Sequence, residues 1–559
     1  MFILLSNLAN VYIPLNVREG VDTIEQTGDY STVVNLAAVL LAAAFLSNLF
    51  RFFIRQTIIV VSREIEYDLR HDFWSHIQQL PLRFFQNNST GNIMSHATND
   101  IASVRMFVGP SVMYSIDNGI KFVLTLAVMI SLSPMLTLYS LLPMPLMSLV
   151  VYIVMKKMHT KYTRIQEKMS DLTAKAQENF SGIRVIKSYE REEYEISEYK
   201  KESGEYLNRK MDQVKLQAFF APIFMMIAGL SAIIVVLAGG NMIINKELST
   251  GVIFAFMLFL MDLIWPMISF GWVANMIQQA DASMKRLLKI WSEPVDISNN
   301  NVDDLITSIT GDIEFRNVSF RYAENLPWVL KGLNLSIKQG ETVAFIGSTG
   351  VGKTSLINLI PRLYDTTEGS VLIDGVDVRN IPLKVLRTAI GLVPQENFLF
   401  SDTLANNIMY GLEKRSEELV HKVSGIARLS KDVNSFPLAY ETILGERGIT
   451  LSGGQKQRST LARALAIDPK ILILDDSFSA VDTNTEEEIL RQLKEFMKNR
   501  TSIIISHRIS TVKDSDKIFV IEDGKIVEKG THEELVAKDG VYADLNTKQL
   551  LEKELSEMN

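Results

Sequence analysis

The stretch Glu341-Thr-Val-Ala-Phe-Ile-Gly-Ser-Thr-Gly-Val-Gly-Lys-Thr-Ser-Leu-Ile-Asn-Leu-Ile360 decides the fold of the second half of this chain. Its first part, Glu341–Ile346, predicts a buried strand, and Ser355–Ile360 predicts a helix. Between them, Gly347–Thr354 fits the pattern GxxxxGK[ST]. Strand, glycine loop and helix in this order are the setting in which that pattern binds phosphate. The sequence therefore predicts an α/β domain of the phosphate-loop class.

Each part of the loop has a predicted task. Glycines let backbone N–H groups converge on phosphate oxygens, and the start of the following helix adds a favourable dipole. Lys353 is expected to reach the β- and γ-phosphates, and Thr354 to bind Mg²⁺. A chance glycine loop is the alternative, which the strand and helix on either side disfavour. The residues predicted to hold nucleotide here are Gly347, Ser348, Thr349, Gly350, Gly352, Lys353, Thr354 and Ser355.

A second motif identifies the family. Leu451-Ser-Gly-Gly-Gln455, followed by Lys-Gln-Arg458, resembles the signature of the ATPase domains of ABC transporters. The resemblance extends to Tyr322 (adenine stacking), Gln395 (Q-loop), Thr442–Gly448 (X-loop), Ser479–Asp482 (D-loop) and His507 (switch histidine). His507 alone would be an ordinary surface or core histidine, but the combination is highly specific. It implies ATP and Mg²⁺ as cofactors, with Thr354, Gln395 and Asp475 as the metal ligands.

The resemblance also implies a dimer of ATPase domains that meet head to tail. Each ATP then lies between the phosphate loop of one domain and the signature of the other. Hydroxyl and backbone donors at such a position suit the charge of a γ-phosphate. The signature residues Ser452, Gly453, Gly454 and Gln455 would therefore contact an ATP held by a partner chain. The chain has one phosphate loop, so it needs a second half-transporter to complete this arrangement.

The run Ile471-Leu-Ile-Leu-Asp-Asp476 predicts a buried strand that ends at the metal-binding Asp475. The family resemblance implies that Asp476, with Gln395 and His507, serves hydrolysis. Most members have Glu at this position. The side chain of Asp476 is one methylene shorter, and a catalytic carboxylate displaced by about 1 Å can cost about a hundredfold in rate. This pattern resembles the degenerate-site subunit of heterodimeric bacterial multidrug exporters. A homodimer with two slow Asp sites is the alternative.

The first half of the chain is apolar enough for a membrane domain. Its 559 residues exceed one ordinary domain. We predict a transmembrane domain at 1–290, a linker at 291–310 and the ATPase domain at 311–559. A span needs about 20 mostly apolar residues, and the first candidate is shorter. The six candidate spans are Met1–Leu15, Val33–Val60, Tyr114–Leu132, Leu136–Met155, Ala218–Ile244 and Val252–Val273. The predicted fold class is thus a membrane all-α six-helix domain followed by an α/β phosphate-loop ATPase domain.

Lysine and arginine placement predicts the orientation. The segments after spans two and four are rich in positive charge, whereas those after spans one, three and five are not, which places the long loops and the ATPase domain in the cytoplasm. Both long segments are expected to be helical extensions of the spans. Phe84–Gly91 and Asn179–Lys187 resemble the family's coupling helices. Exporters of this family usually have a cytosolic helix before span one, and its absence here indicates either truncation or an upstream start.

Composition narrows the function. Net charge is −7 with no basic cluster of the kind that binds nucleic acid, and the chain has no cysteine. Methionines and aromatic residues in span six suit varied apolar ligands, although lipid contact and helix packing explain them equally well. Within the spans, Asp262 is expected to line a cavity or to pair, with a substrate- or proton-linked role as the alternative. We expect ATP-driven export of an apolar or amphipathic compound. A homodimeric peptide or lipid exporter and an ATP-gated regulatory membrane protein are the alternatives.

Overall fold

The protein consists of two compact units. The computed structural model describes residues 1–558, and the side chains of those residues other than 148, 151, 155, 159, 221, 447, 483 and 552–558. The first unit contains Met1–His76 and Gly91–Ser292, and it is helical. The second contains Ile77–Thr90 and the residues from Glu293 onward, and it combines helices with two sheets. The predicted order of a helical membrane domain followed by an α/β domain is confirmed.

The first 292 residues form twelve α-helices among those the structure describes. Three π-helical turns, at Arg55–Ile59, His96–Asp100 and Phe107–Ser111, connect some of them without a break. The α-helices are α1 (Phe2–Gln26), α2 (Tyr30–Ile54), α3 (Val60–Gln79), α4 (Leu82–Asn87), α5 (Thr90–Ser95), α6 (Ile101–Met106), α7 (Val112–Leu132), α8 (Pro134–Leu141), α9 (Met144–Ser181), α10 (Ile183–Ser188), α11 (Glu192–Ile244) and α12 (Thr250–Trp291).

Five helical stretches are long and apolar enough to cross a membrane. They are Tyr30–Gln79, Thr90–Leu132, Pro134–Ser181, Glu192–Ile244 and Thr250–Trp291. The 53 residues of α11 correspond to a length of about 80 Å, against a hydrocarbon core of about 30 Å. The prediction that the spans continue into long helical extensions is therefore confirmed. Helix α1 is not among the five, which matches its short apolar run.

Helix α1 continues beyond the candidate span Met1–Leu15 and ends at Gln26. The polar residues of its second half have a structural task in the membrane unit. Asp22 accepts hydrogen bonds from the hydroxyl of Ser249 at 2.7 Å and from the N–H of Gly251 at 2.8 Å. The second bond satisfies one of the first N–H groups of α12. A Cβ at Gly251 would lie 2.2 Å from the carbonyl oxygen of Arg18, so the two helices meet where only glycine fits.

Three pairs of polar side chains connect neighbouring helices inside the spans. The pairs are Lys121 with Asp262 at 2.7 Å, Asn118 with Ser269 at 2.6 Å, and Asn7 with Asp117 at 2.8 Å. Pairing is the usual way in which a charge is accommodated at membrane depth. The structure therefore places Asp262 in an ion pair, which is the expectation favoured above.

The second unit contains two sheets. The larger has the order β10-β9-β3-β8-β7-β6, with parallel pairing from β9 to β6 and antiparallel pairing between β9 and β10. The smaller is antiparallel, with the order β2-β1-β4-β5. The strands are β1 (Ile313–Phe320), β2 (Leu330–Ile337), β3 (Thr342–Ile346), β4 (Glu368–Ile373), β5 (Val376–Asp377), β6 (Ile390–Val393), β7 (Ile471–Asp475), β8 (Thr501–Ile505), β9 (Lys517–Glu522) and β10 (Lys525–Gly530).

Helices surround these sheets. They are α13 (Lys353–Leu359), α14 (Leu383–Thr388), α15 (Leu404–Ile408), α16 (Glu417–Ile426), α17 (Ser430–Val433), α18 (Gly453–Ala466), α19 (Thr483–Met497), α20 (Ile509–Val512), α21 (His532–Ala537) and α22 (Val541–Met558). The predicted strand at 341–346 is β3, and the predicted helix at 355–360 is α13, which begins two residues earlier. All five residues of β7 are buried. The carboxyl ends of the parallel strands β3, β6, β7 and β8 lie at one edge of the sheet, where ligands of such sheets bind.

Candidate nucleotide-binding site

The loop between β3 and α13 has a backbone that demands glycine. Gly347 has φ +156° and Gly352 has φ +102°, and both angles lie in the region that side-chain-bearing residues rarely adopt. A Cβ at Gly347 would lie 2.2 Å from the carbonyl oxygen of Ile521 on β9. Gly352 is the residue that precedes α13, and a Cβ there would lie 2.9 Å from Leu330. The loop therefore packs directly against Ile521 of β9 and Leu330 of β2, where a side chain would not fit.

Lys353 lies at the base of this loop and is only 6% exposed. Its ammonium group donates to the carbonyl oxygens of Gly347 and Ser348, each at 2.8 Å. Burial lowers the pKa of Lys353, while the carboxylates of Asp475 and Asp476 oppose that shift. An ammonium group has three donors, so one remains for an anion beyond the two loop carbonyls.

Thr354 and Asp475 bring two oxygen atoms together at the end of β7. The Thr354 hydroxyl donates to a carboxylate oxygen of Asp475 at 2.9 Å, and Asp475 is 2% exposed. Burial raises the pKa of Asp475, and the charge of Asp476 raises it further. A buried carboxylate beside a hydroxyl is a hard-oxygen donor set of the kind that suits Mg²⁺. Gln395, two residues after β6, lines the same cavity. These three residues thus fit the predicted metal site.

Asp476 adopts a left-handed backbone, with φ +47°. Its N–H donates to the carbonyl oxygen of Ile505 at the end of β8, at 2.9 Å. Its own carbonyl oxygen accepts from the hydroxyl of Ser479, at 3.2 Å. Both backbone polar groups of Asp476 are therefore bound to neighbouring elements, which fixes the position from which its carboxylate projects.

His507 and Tyr322 complete the wall of the site. Burial lowers the pKa of His507, and the nearby charge of Lys353 lowers it further, while Asp476 opposes the shift. The neutral imidazole is therefore the favoured form near pH 7. The hydroxyl of Tyr322 lies 2.7 Å from that of Ser355 in α13. Its ring makes an edge contact with Tyr364, at 5.4 Å between ring centroids.

One cavity of about 300 Å³ brings most of the predicted residues together. Its lining consists of Tyr322, Val329, Thr349, Gly350, Gly352, Lys353, Thr354, Ser355, Gln395, Asp475, Asp476, Ile505 and His507. Val329 and Ile505 were not predicted, since an apolar residue in or next to a strand carries no signal of its own. Gly347 and Ser348 contribute through their carbonyls, as described above.

The signature residues lie elsewhere. Among the described residues, Ser452, Gly453, Gly454 and Gln455 do not line this cavity. Ser452 begins α18, where its hydroxyl accepts from the N–H of Gln455 at 3.3 Å and the Gln455 side chain accepts from the N–H of Ser452 at 3.0 Å. This reciprocal cap stabilises the start of the helix. Both Ser452 and Gly453 are exposed, so the start of the predicted signature lies on the surface of the chain.

Gln457, which sequence reasoning missed, connects the signature helix to the D-loop. Its side chain donates to the hydroxyl of Ser479 at 2.9 Å and accepts from the N–H of Ala480 at 3.0 Å. A Cβ at Gly454 would lie 2.9 Å from the carbonyl oxygen of Ala480, so the D-loop backbone packs against the signature. Gln457 is 3% exposed. Because Ser479 also bonds to Asp476, the signature and the end of β7 form one hydrogen-bonded unit.

Family models match both halves of the chain. The model described as "ABC transporter transmembrane region" matches residues 1–267, and the model described as "ABC transporter" matches residues 330–479. A solved structure described as a bacterial Atm1-family ABC exporter with ATP bound aligns with a TM-score of 0.77 and 26% sequence identity. That alignment covers 98% of this chain and 96% of the other.

Curated relatives align over most of their length. A putative multidrug export ATP-binding/permease protein of Staphylococcus aureus (strain bovine RF122 / ET3-1) is 35% identical over 546 residues, which is 96% of this chain and 94% of that protein. An ATP-dependent lipid A-core flippase of Syntrophus aciditrophicus (strain SB) is 35% identical over 89% of this chain and 82% of its own length. A probable multidrug resistance ABC transporter protein, YheI of Bacillus subtilis (strain 168), is 34% identical, with coverage of 86% and 83%.

Proposed function

This chain belongs to the ABC transporter family, as an exporter half in which the membrane domain is fused to the ATPase domain, and we propose that it exports apolar or amphipathic compounds as one half of a heterodimer. It is a multi-pass membrane protein with a cytoplasmic ATPase domain, and it couples ATP hydrolysis to export. The substrate class, the heterodimer and the unequal ATP sites are the proposed parts. The observation that carries the unequal ATP sites, and with them the heterodimer, is the fixed backbone of Asp476.

Nucleotide binding follows from the geometry of the cavity. Lys353 would contact the β- and γ-phosphates with its remaining donor, while the loop N–H groups bind the other phosphate oxygens. Tyr322 would stack on adenine. Thr354, Asp475 and Gln395 would hold Mg²⁺, which supplies charge stabilisation to the phosphates. His507, neutral at physiological pH, would donate to the γ-phosphate. The domain boundaries proposed for this arrangement are 1–290, 291–310 and 311–559.

Hydrolysis at this site is proposed to be slow. A carboxylate on Asp476 ends one methylene short of the position that a Glu would reach. The backbone cannot move to compensate, because its N–H is bound to Ile505 and its carbonyl oxygen to Ser479. A shortfall of about 1 Å can cost about a hundredfold in rate. The site would therefore retain ATP and hydrolyse little of it.

The signature, by contrast, is proposed to be fully functional. Ser452 and Gly453 are exposed at the start of a capped helix, which presents N–H groups and a favourable dipole to an anion. These residues would bind the γ-phosphate of an ATP held by the partner. An intact signature allows fast hydrolysis only at a partner site that carries a catalytic Glu. We therefore favour the heterodimer over a homodimer with two slow sites.

The substrate class is inferred from the membrane unit and from relatives. A cavity of about 300 Å³ lies between α9, α11 and α12. Its lining includes five methionines, namely Met144, Met147, Met225, Met257 and Met261, and no charged side chain among the residues that the structure describes. Flexible thioether side chains adapt to apolar ligands of different shapes. The names of the relatives mention multidrug export and lipid A-core flipping, which suits the same ligand chemistry.

Transport into inside-out vesicles tests the proposal. Vesicles that contain this chain together with its partner should accumulate an uncharged fluorescent apolar dye when MgATP is added outside. Vesicles with Lys353→Ala in this chain provide the matched control. Accumulation against a gradient would contradict the alternative of an ATP-gated channel, in which the dye only equilibrates. An absence of ATP-dependent accumulation for uncharged dyes and lipids, with transport of a peptide instead, would overturn the proposed substrate class.

A further inference from the structure

Gln549 of the C-terminal helix α22 forms hydrogen bonds to the switch segment, His507–Val512. Gln549 donates from Nε2 to the carbonyl oxygen of His507 at 2.6 Å and accepts at Oε1 from the N–H of Ile509 at 2.8 Å. One planar amide thus satisfies a backbone acceptor and a backbone donor two residues apart. Both bonds are lost if the amide is replaced by a group that has neither a donor nor an acceptor.

These bonds occur at the start of α20, where the preceding residue provides no side-chain cap. Helix α20 begins at Ile509, and the preceding Arg508 supplies no side-chain cap. The first N–H groups of a helix need partners from outside the helix, and Gln549 supplies one for Ile509. The following turn is held by Glu486 of α19, which pairs with Arg508 and accepts from the hydroxyl of Thr511 at 2.6 Å.

The position of His507 decides what its imidazole can reach. His507 lines the nucleotide cavity, two residues beyond the end of β8. Its backbone carbonyl is bound by Gln549, so the amide fixes the peptide from which the imidazole projects. A hydrogen bond to a phosphate oxygen weakens steeply when its geometry is lost. The side chain that binds this peptide lies some 40 residues further along the chain, outside every motif in the sequence.

We propose that Gln549 is a positioning residue for His507, and that α22 thereby belongs to the machinery that distinguishes ATP from ADP. This inference rests on the proposed role of His507 at the γ-phosphate. ADP lacks that phosphate, so a displaced imidazole should weaken ATP binding and leave ADP binding unchanged. If α22 had only a structural role, substitutions in it would weaken ATP binding and ADP binding equally.

The test uses the purified full-length chain in lipid nanodiscs and measures dissociation constants for MgATP and MgADP by displacement of a fluorescent nucleotide. Gln549→Met keeps most of the packing and removes both hydrogen bonds. Gln549→Glu keeps the acceptor for Ile509 but places an anion against the His507 carbonyl. Lys548→Ala, an exposed neighbour on the same helix, is the control. Thermal unfolding of each variant reports on folding.

We expect Gln549→Met to lower the preference for ATP over ADP about fivefold, because the displaced imidazole makes a weaker hydrogen bond to the γ-phosphate. The affinity for ADP should be unchanged. Gln549→Glu should lower it further, and Lys548→Ala should not change it. His507→Ala should lower the preference about tenfold or more, because its bond is to a charged group. Adding Gln549→Met to His507→Ala should then have no further effect on the preference.

The failures are distinguishable. If His507→Ala leaves the ATP preference unchanged, the proposed role of His507 is wrong and the inference falls with it. If His507→Ala lowers the preference but Gln549→Met does not, only the role of Gln549 is overturned. Equal weakening of ATP and ADP in Gln549→Met, or additive effects in the double variant, would overturn it as well.

Discussion

Replacing Lys353 with alanine tests the phosphate loop directly. The ammonium group of Lys353 is buried and already donates to the carbonyl oxygens of Gly347 and Ser348, so one donor remains for a phosphate oxygen. A hydrogen bond that involves a charged group contributes about 1.5–3 kcal/mol, which corresponds to about a 10- to 150-fold rise in the dissociation constant. We therefore expect Lys353→Ala to weaken MgATP binding by a factor in that range.

Calorimetric titration of the full-length chain in nanodiscs measures this change. Lys331→Ala is the matched control, because Lys331 is an exposed lysine of the same unit and should leave ATP binding unaltered. Thermal unfolding of Lys353→Ala should remain cooperative, since burial already disfavours the charge that the substitution removes. An unchanged dissociation constant in a folded Lys353→Ala protein would refute the assignment of this loop.

Three further predictions concern the signature, the metal site and the membrane cavity. Ser452→Ala should cost about 1 kcal/mol of helix stability, because the Ser452 hydroxyl caps α18 at 3.3 Å. The control Ser416→Ala should cost the same at the start of α16, where the hydroxyl also caps at 3.3 Å. Only Ser452→Ala should also lower the steady-state turnover of the heterodimer, by about a hundredfold, with ATP binding at Lys353 retained. Burial raises the pKa of Asp475 above its usual 3.8, so protons should compete with Mg²⁺ at higher pH than for an exposed carboxyl, and Mg²⁺-dependent ATP binding should weaken as the pH is lowered. Asp475→Asn should abolish that Mg²⁺ and pH dependence without lowering the thermal stability at pH 7. Ala232→Phe, which fills the methionine-lined cavity, should abolish stimulation of the ATPase by apolar dyes, whereas Leu237→Phe on an exposed part of the same helix should not; equal stimulation in both variants would contradict a ligand role for this cavity.

Much of the ATPase fold could be predicted because its signals are local. The aliphatic run 471–475 predicts a buried strand, and β7 has those bounds. The glycine loop predicts the strand and helix on either side, and only the start of α13 differs, since Lys353 and Thr354 already belong to the helix. Each of these features depends on neighbouring residues, whose pattern is visible in one sequence.

Other features depend on residues far apart in the chain. Helix α1 extends beyond its apolar run because Asp22 finds donors at Ser249 and Gly251, which no local pattern shows. Gln457 and Gln549 are ordinary polar residues of helices in the sequence. Their side chains become important only when folding places them against the D-loop and the switch segment, respectively.

The central claim is that this chain binds ATP at a site that hydrolyses it slowly while its signature supports a faster partner site. Steady-state ATPase activity of the purified complex in lipid, with Asp476→Asn in this chain and Glu→Gln at the matching position of the partner, tests it most directly. We expect Asp476→Asn to lower turnover by less than about twofold, because a hundredfold slower site carries little of the flux. The change in the partner should nearly abolish turnover. Rapid hydrolysis by this chain alone, eliminated by Asp476→Asn, would contradict the account and would make Asp476 a competent catalytic base in a homodimer.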